Sequence, residues 1–202
     1  FAAYFEDDLF TVLKPEVTSS EGIEDKDVKA LVDNLLADAE GYKKFRVGEY
    51  EAYRHYSSLQ SELKTSAPYN QWENPTGIYV KPGDSFYVVV SGIASDMVGL
   101  KVKNWVQNEN GSTYGLRNGL NKITATTEGN VFVDYYTDNY KDAPNVKVHF
   151  INGSVRGYWD QATMTNKDWK EMLAKLPKDN SIIIVRSEHA QLAYPVSAWK
   201  EH

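Results

Sequence analysis

His55, His149, His189 and His202 are the imidazoles of a chain without cysteine. The missing thiol excludes a disulfide framework, a Cys-based zinc finger, an iron–sulfur site and a thiol nucleophile. No two histidines lie four residues apart, so no helix can place a His-Glu-x-x-His pair on one zinc ion. A zinc site assembled from distant histidines has no support in the spacing, and isolated histidines are more often ordinary core or surface residues. Gly-x-Ser-x-Gly, Walker and Gly-x-Gly-x-x-Gly signatures are absent. Glu49 and Glu51 would share a face of a strand, but paired glycosidase carboxylates normally come from separate strands. Asp134, Asp138 and Asp142 invite a calcium reading without the EF-hand pattern or its central glycine. A solvated strand end and loop explains them better. Asn110-Gly111-Ser112 and Asn152-Gly153-Ser154 match the glycosylation pattern but read better as turns.

Binding chemistry is better represented than catalytic chemistry. Fourteen Tyr and five Trp help raise aromatic content to 13%. Tyr and Trp suit half-buried sheet faces, and they also suit platforms on which sugar rings stack. Trp72, Trp105 and Trp159 each lie near an expected turn or strand end and are the candidate ligand-binding residues, with core packing as the competing reading. The formal net charge of −6 argues against a broad nucleic-acid or anionic-membrane surface, which needs clustered Lys and Arg. Lys43-Lys44-Phe45-Arg46 is too short a basic run to change that.

These residues have to be positioned by a chain of 202 residues, enough to bury a core without a metal or disulfide staple. Ser19, Ser20 and Asp25 offer N-caps ahead of the helical stripe Val28, Leu31, Val32, Leu35, Leu36 and Ala39, with Gly41 as a C′ residue. A shorter helix is expected over 57–64, with Leu59 and Leu63 on one face. From Ala67 the period changes to that of strands. Asn74-Pro75-Thr76-Gly77 and Lys81-Pro82-Gly83-Asp84 read as turns, and strands are expected at 78–80, 85–90, 98–106, 122–126, 130–136 and 146–151. Asn110-Gly111, Asn118-Gly119 and Asn152-Gly153 fit turns with positive φ, and the last, flanked by Val148, Phe150, Val155 and Tyr158, is the strongest hairpin signal. Thr165 with Asp168 resembles a capping box before the apolar face Trp169, Met172, Leu173 and Leu176, which stops at Pro177. Strands are expected over 181–186 and 191–196. The fold class is therefore α+β, mainly β. An antiparallel β-sandwich over 67–160 follows a helical segment over 1–66, and a helix and strands over 161–202 pack on it.

Several of these stretches, in this order, resemble the front part of the enhancin-like peptidases. They are Phe45-Arg46-Val47 through Tyr53, Leu63 to Tyr69, Asn74-Pro75-Thr76-Gly77-Ile78-Tyr79-Val80 with Pro82-Gly83-Asp84, and Tyr114 to Ile123. Val146-Lys147-Val148-His149-Phe150, Gly157-Tyr158-Trp159 and Trp169 to Leu173 extend the likeness. Those enzymes are zinc metallopeptidases that attack mucins and other O-glycosylated proteins, and several gut bacteria export them. The resemblance implies a β-sandwich lobe ahead of a catalytic lobe that carries the zinc. This chain has no His-Glu-x-x-His, and Glu188-His189-Ala190-Gln191 reverses the order, so no catalytic or metal residue and no cofactor is assigned to it. The implied partners are the catalytic lobe of the same polypeptide and a glycoprotein or glycan, with no nucleic acid. The implied location is secreted or cell-surface, although Phe1 to Phe5 is no signal peptide and no run approaches the length of a membrane span. The absence of an initiator Met suggests a processed or excised piece. A free-standing carbohydrate-binding module and a structural spacer are the alternatives.

Overall fold

The computed structural model describes residues 2–66, 73–94, 97–104 and 108–201. Its helices are α1 (Lys26–Lys43), α2 (Tyr56–Leu63), α3 (Asn166–Lys175) and α4 (Val196–Trp199). Its strands are β1 (Val47–Tyr50), β2 (Asn74–Val80), β3 (Ser85–Ser91), β4 (Val98–Asn104), β5 (Asn108–Gly115) and β6 (Gly119–Thr124). They continue with β7 (Gly129–Tyr135), β8 (Val146–Phe150), β9 (Ser154–Val155), β10 (Trp159–Asp160), β11 (Ile182–Arg186) and β12 (Gln191–Pro195). Three sheets result, in the orders β1-β8-β3-β6, β5-β4-β7-β2-β9 and β10-β11-β12. Pairing is antiparallel except between β10 and β11. The chain is mainly antiparallel β with helical flanks, as its periodicity predicts.

Strand alternation sorts the side chains into layers. Phe86, Val88 and Val90 of the four-stranded sheet meet Ile78, Val80, Leu100, Val102, Val131 and Val133 of the five-stranded sheet in one buried cluster. This is the core of the sandwich. The opposite face of the four-stranded sheet is covered by α1, whose Val28, Leu31, Val32 and Leu35 pack with Phe5, Val89 and Ile151. On the outer face of the five-stranded sheet, Phe132 packs with Ile182 and Ile184 of the three-stranded sheet. Ile183, between them in sequence, points the other way and packs with Leu176, Val196, Trp169, Met172 and Trp199. Helix, three sheets and helices are thus stacked in register with the alternation.

Several local expectations change in the structure. Gly41 does not end α1, because the helix kinks at Asp38 and runs on to Lys43. The Asp38 carboxylate accepts from the Gly41 N–H at 2.9 Å, restarting a turn. Asn74-Pro75-Thr76-Gly77 is buried strand rather than turn. An irregularity between Pro75 and Tyr79 absorbs the proline, and the Thr76 hydroxyl donates to the Val131 carbonyl at 2.7 Å. Asn110-Gly111 lies inside β5, opposite a register shift between Val102 and Asn104, so the positive φ of 71° at Gly111 serves a bulge. Asn152-Gly153 has the expected positive φ at Gly153 but closes no hairpin. Strand β8 pairs with β1 and β3, whereas β9 pairs with β2 in the other sheet. The link crosses between the sheets. Asp25 and the Thr165–Asp168 capping box behave as read.

His149 lies on the outer face of β8 and is 0% exposed. Its Nδ1 is 2.6 Å from the Leu9 carbonyl and its Nε2 is 2.9 Å from the Tyr42 hydroxyl. A carbonyl only accepts, so Nδ1 carries the proton and Nε2 is an acceptor that shares the Tyr42 hydroxyl proton with the Ile151 carbonyl, 3.1 Å from that hydroxyl. The ring pins the N-terminal segment and the end of α1 to the sheet. Burial opposes the imidazolium, and despite the Leu9 hydrogen bond the ring is pushed down to about 4, with Arg46 adding to the shift. The unfolded chain therefore binds a proton in the window between about 6.5 and about 4 that the folded chain refuses, and stability falls as pH drops through it. The loss amounts to on the order of 3 kcal/mol. Urea unfolding between pH 7 and pH 4 should show this slope, and His149→Gln should flatten it. A variant that keeps the full slope would exclude His149 as its source.

Candidate functional site

Of the candidate residues, Trp159 is described, whereas Trp72 and Trp105 lie outside the described residues. Trp159 belongs to β10 and pairs in register with Val185 of β11. It lies on the side of the three-stranded sheet away from the sandwich. Its ring meets Trp169 of α3 edge-on at 6.4 Å, Trp169 meets Trp199 of α4 at 5.3 Å, and Trp199 meets Tyr194 of β12 at 5.6 Å. T-shaped contacts of this kind lock each ring against its neighbour. The capping box starts α3 at Thr165 and thereby sets Trp169 against the sheet. Tyr194 pairs with Ile183, so burial of Ile183 fixes which face Tyr194 takes.

The face is only partly covered. Leu192 is 46% exposed and Tyr194 is 51% exposed, while Trp159, Trp169 and Trp199 are half-buried. Trp199 Nε1 is buried without a hydrogen-bond partner among the described residues, an unmet donor beneath this face rather than on it. Among the described strands, β12 is also an edge. The Val196 N–H donates to the Ser181 carbonyl and the Ser187 N–H to the Ala190 carbonyl, which assigns the even-numbered residues of β12 to the ladder with β11. The backbone groups of Gln191 and Ala193 face outward. Sequence reading singled out Trp159 but missed Trp169, Trp199 and Tyr194, because Trp169 belongs to an ordinary apolar helix stripe. The residues Trp199 and Tyr194 join the group only through the β11–β12 register.

Polar ties hold this layer to the sandwich. Asn130 Nδ2 donates to the Ile182 carbonyl at 3.0 Å, and Arg186 Nη2 donates to the Tyr53 hydroxyl at 3.1 Å. Glu73 joins Lys103 at 2.8 Å and Lys101 at 3.8 Å. Asp134 nearby has a buried Oδ1 without a partner among the described residues, and burial raises its carboxyl against the opposing pull of both lysines.

The described residues do not assemble a zinc centre. Among the described residues no group of three or more His, Asp or Glu converges. Both nitrogens of His149 are engaged, and His189 lies beside Glu188 with 86% of its side chain exposed. Asp134 is half-buried in β7, while Asp138 and Asp142 lie in the loop that follows it. No reaction step is therefore derived through a metal on this chain. No described helix is long and apolar enough to cross a membrane.

No family model matches this chain, and neither does any curated protein. Solved structures do. A metallopeptidase from Bacteroides thetaiotaomicron is 26% identical with a TM-score of 0.82, over 99% of this chain and 36% of that one. The fold is metallopeptidase-related. A metallopeptidase in complex with Tn antigen is 28% identical with a TM-score of 0.70, over 81% of this chain and 32% of that one. The ZmpB metallopeptidase from Clostridium perfringens, 18% identical with a TM-score of 0.62 over 77% of this chain and 35% of that one, shares the fold. The chain spans about a third of the length of these structures.

Within the aromatic group Trp169 touches two other rings, and Trp159 touches one. Trp169→Ala should therefore destabilise the chain by about 2–3 kcal/mol and Trp159→Ala by about 1 kcal/mol, below the range for fully buried aromatics. Denaturant unfolding measures both. Equal costs would contradict the central place of Trp169.

Proposed function

We propose that this chain is the non-catalytic N-terminal portion of a secreted enhancin-like metallopeptidase acting on mucin-type O-glycoproteins. It supports the catalytic lobe and helps to hold substrate. The observation that carries the reading is the likeness over 99% of this chain to 36% of a metallopeptidase, joined to the absence of His-Glu-x-x-His from the sequence. The complex of a second neighbour with Tn antigen supports the O-glycoprotein half of the reading.

The lobe contributes by positioning. A substrate held on a rigid surface has already lost much of its translational and rotational freedom when its peptide reaches the catalytic lobe. The face around Trp159 suits this task because its rings are locked and partly exposed, so stacking a sugar ring on it costs little side-chain entropy. Trp72 and Trp105 remain in the proposed ligand-binding set on their sequence positions.

Incubation of the purified chain with O-glycosylated mucin and zinc should release no fragments. The chain should bind an O-glycosylated mucin peptide more tightly than the same peptide stripped of sugar, and Trp159→Ala should weaken the difference about tenfold. Zinc-dependent cleavage that survives repurification would overturn the non-catalytic assignment. Equal binding of the stripped peptide would overturn the glycan-holding role. A free-standing carbohydrate-binding module would show the same affinity but would add nothing to cleavage when fused to a catalytic lobe.

A further inference from the structure

A second site lies away from the aromatic face. One end of the five-stranded sheet and the loop entering β11 enclose a cleft of about 410 Å³, in the size range of small-ligand sites. Tyr79, Arg156, Lys81, Asn130, Glu128 and Asp179 are among its lining residues. Arg156 is held in place from several sides. Its backbone N–H and that of Gly157 donate to the Gly77 carbonyl at 2.8 and 2.9 Å. This close approach requires glycine, since a Cβ at position 77 would lie 2.9 Å from the Gly157 Cα at a φ of 79°. The guanidinium rests 4.0 Å over the centre of the Tyr79 ring. That ring is anchored in turn by its hydroxyl, which donates to Glu128 at 2.5 Å.

The Arg156 side chain is only 16% exposed, yet among the described residues only one end of its fork bonds to protein side chains. Nη1 donates to Asp179 and to the Ser181 hydroxyl. Nε and Nη2 have no acceptor among the described residues, and neither does the Lys81 ammonium. Asn130 spends its amide N–H on the Ile182 carbonyl, and its Oδ1 receives no hydrogen bond from the described residues. The cleft thus presents spare donors on a fixed guanidinium and an ammonium, next to spare acceptors on Asn130 and Glu128. Of the lining cations, Lys103 is paired with Glu73 and Arg156 meets Asp179 through Nη1, so the charge left to a ligand lies on Lys81 and on the Nε and Nη2 donors of Arg156. A bare anion would gain from the cations but be repelled by the carboxylates. A ligand with one anionic group and hydroxyl donors a few bonds away satisfies both.

We propose that this cleft is a binding site for an acidic saccharide, with its carboxylate or sulfate on Arg156 and Lys81 and its hydroxyls on Asn130 and Glu128. The proposal rests on the reading of the chain as a handler of O-glycoproteins and adds a recognition site for their acidic sugars.

Calorimetric titration of the full chain tests it with the methyl glycoside of N-acetylneuraminic acid, its methyl ester, galactose 6-sulfate, galactose and sodium sulfate at matched ionic strength. At least one of the two acidic sugars should bind, its neutral counterpart should bind about tenfold more weakly or worse, and added salt should weaken binding. Which acidic sugar binds separates the carboxylate from the sulfate source. Lys81→Glu, at an exposed turn, should weaken binding severalfold, and Arg156→Gln should abolish it. Lys81→Glu carries the test if Arg156→Gln does not fold. Equal binding of the neutral sugars, full affinity for sulfate alone, no effect of Lys81→Glu, or no acidic sugar bound at about 20 mM would each overturn the proposal. If the glycosylated mucin peptide still binds in those cases, the proposed function stands without this site.

Discussion

Val88, Val89 and Val90 are all buried, and so are Val131, Phe132 and Val133. Successive strand residues point to opposite faces, so both sheets of the sandwich carry apolar side chains on both faces. A sandwich of two sheets covers only the inner pair. The outer pair has to be covered by something else, and the rest of the architecture follows from that need. Helix α1 and the N-terminal segment cover Val89, and the three-stranded sheet covers Phe132. Ile183 then leaves the third sheet with an apolar outer face of its own, which α3 and α4 close in part. Leu192 and Tyr194 are what those short helices leave uncovered.

This dependence explains what could be read in the sequence. The stripe of α1, the capping box of α3 and most strands depend on local period and cap chemistry, and they emerged close to their observed places. Gly153 and Gly111 also have the positive φ that Asn-Gly pairs suggest. The use of that geometry was not legible, because a bulge, a hairpin and a crossing between sheets all employ the same local conformation. Asn74 to Gly77 misled for a related reason. Their turn-forming composition is overridden by a buried position between β7 and β9, where Thr76 and Asn74 find partners distant in sequence. The aromatic group and the Arg156 cleft were equally out of reach, since each is assembled from segments joined only by sheet register.

The two surfaces differ in chemistry. Around Trp159 the locked, partly exposed rings favour flat, partly apolar contacts. Around Arg156 fixed charges and amides favour hydroxyls and an anion. Both are built where the third sheet meets another layer, and both lose their geometry if that sheet moves. The interface is small in apolar terms, with Phe132, Ile182 and Ile184 as its buried core. Its fixity therefore depends also on the polar ties from Asn130 and Arg186, each worth about 1 kcal/mol or somewhat more.

Native-state hydrogen exchange measures this directly. The Ile183 and Val185 amides of the third sheet should exchange with the same opening free energy as the Val89 and Val131 amides of the sandwich, within about 1 kcal/mol, as parts of one cooperative unit. Fast exchange of Ile183 and Val185 while Val89 and Val131 remain fully protected would show that the third sheet opens alone. That result would contradict the account of a single rigid platform presenting both surfaces.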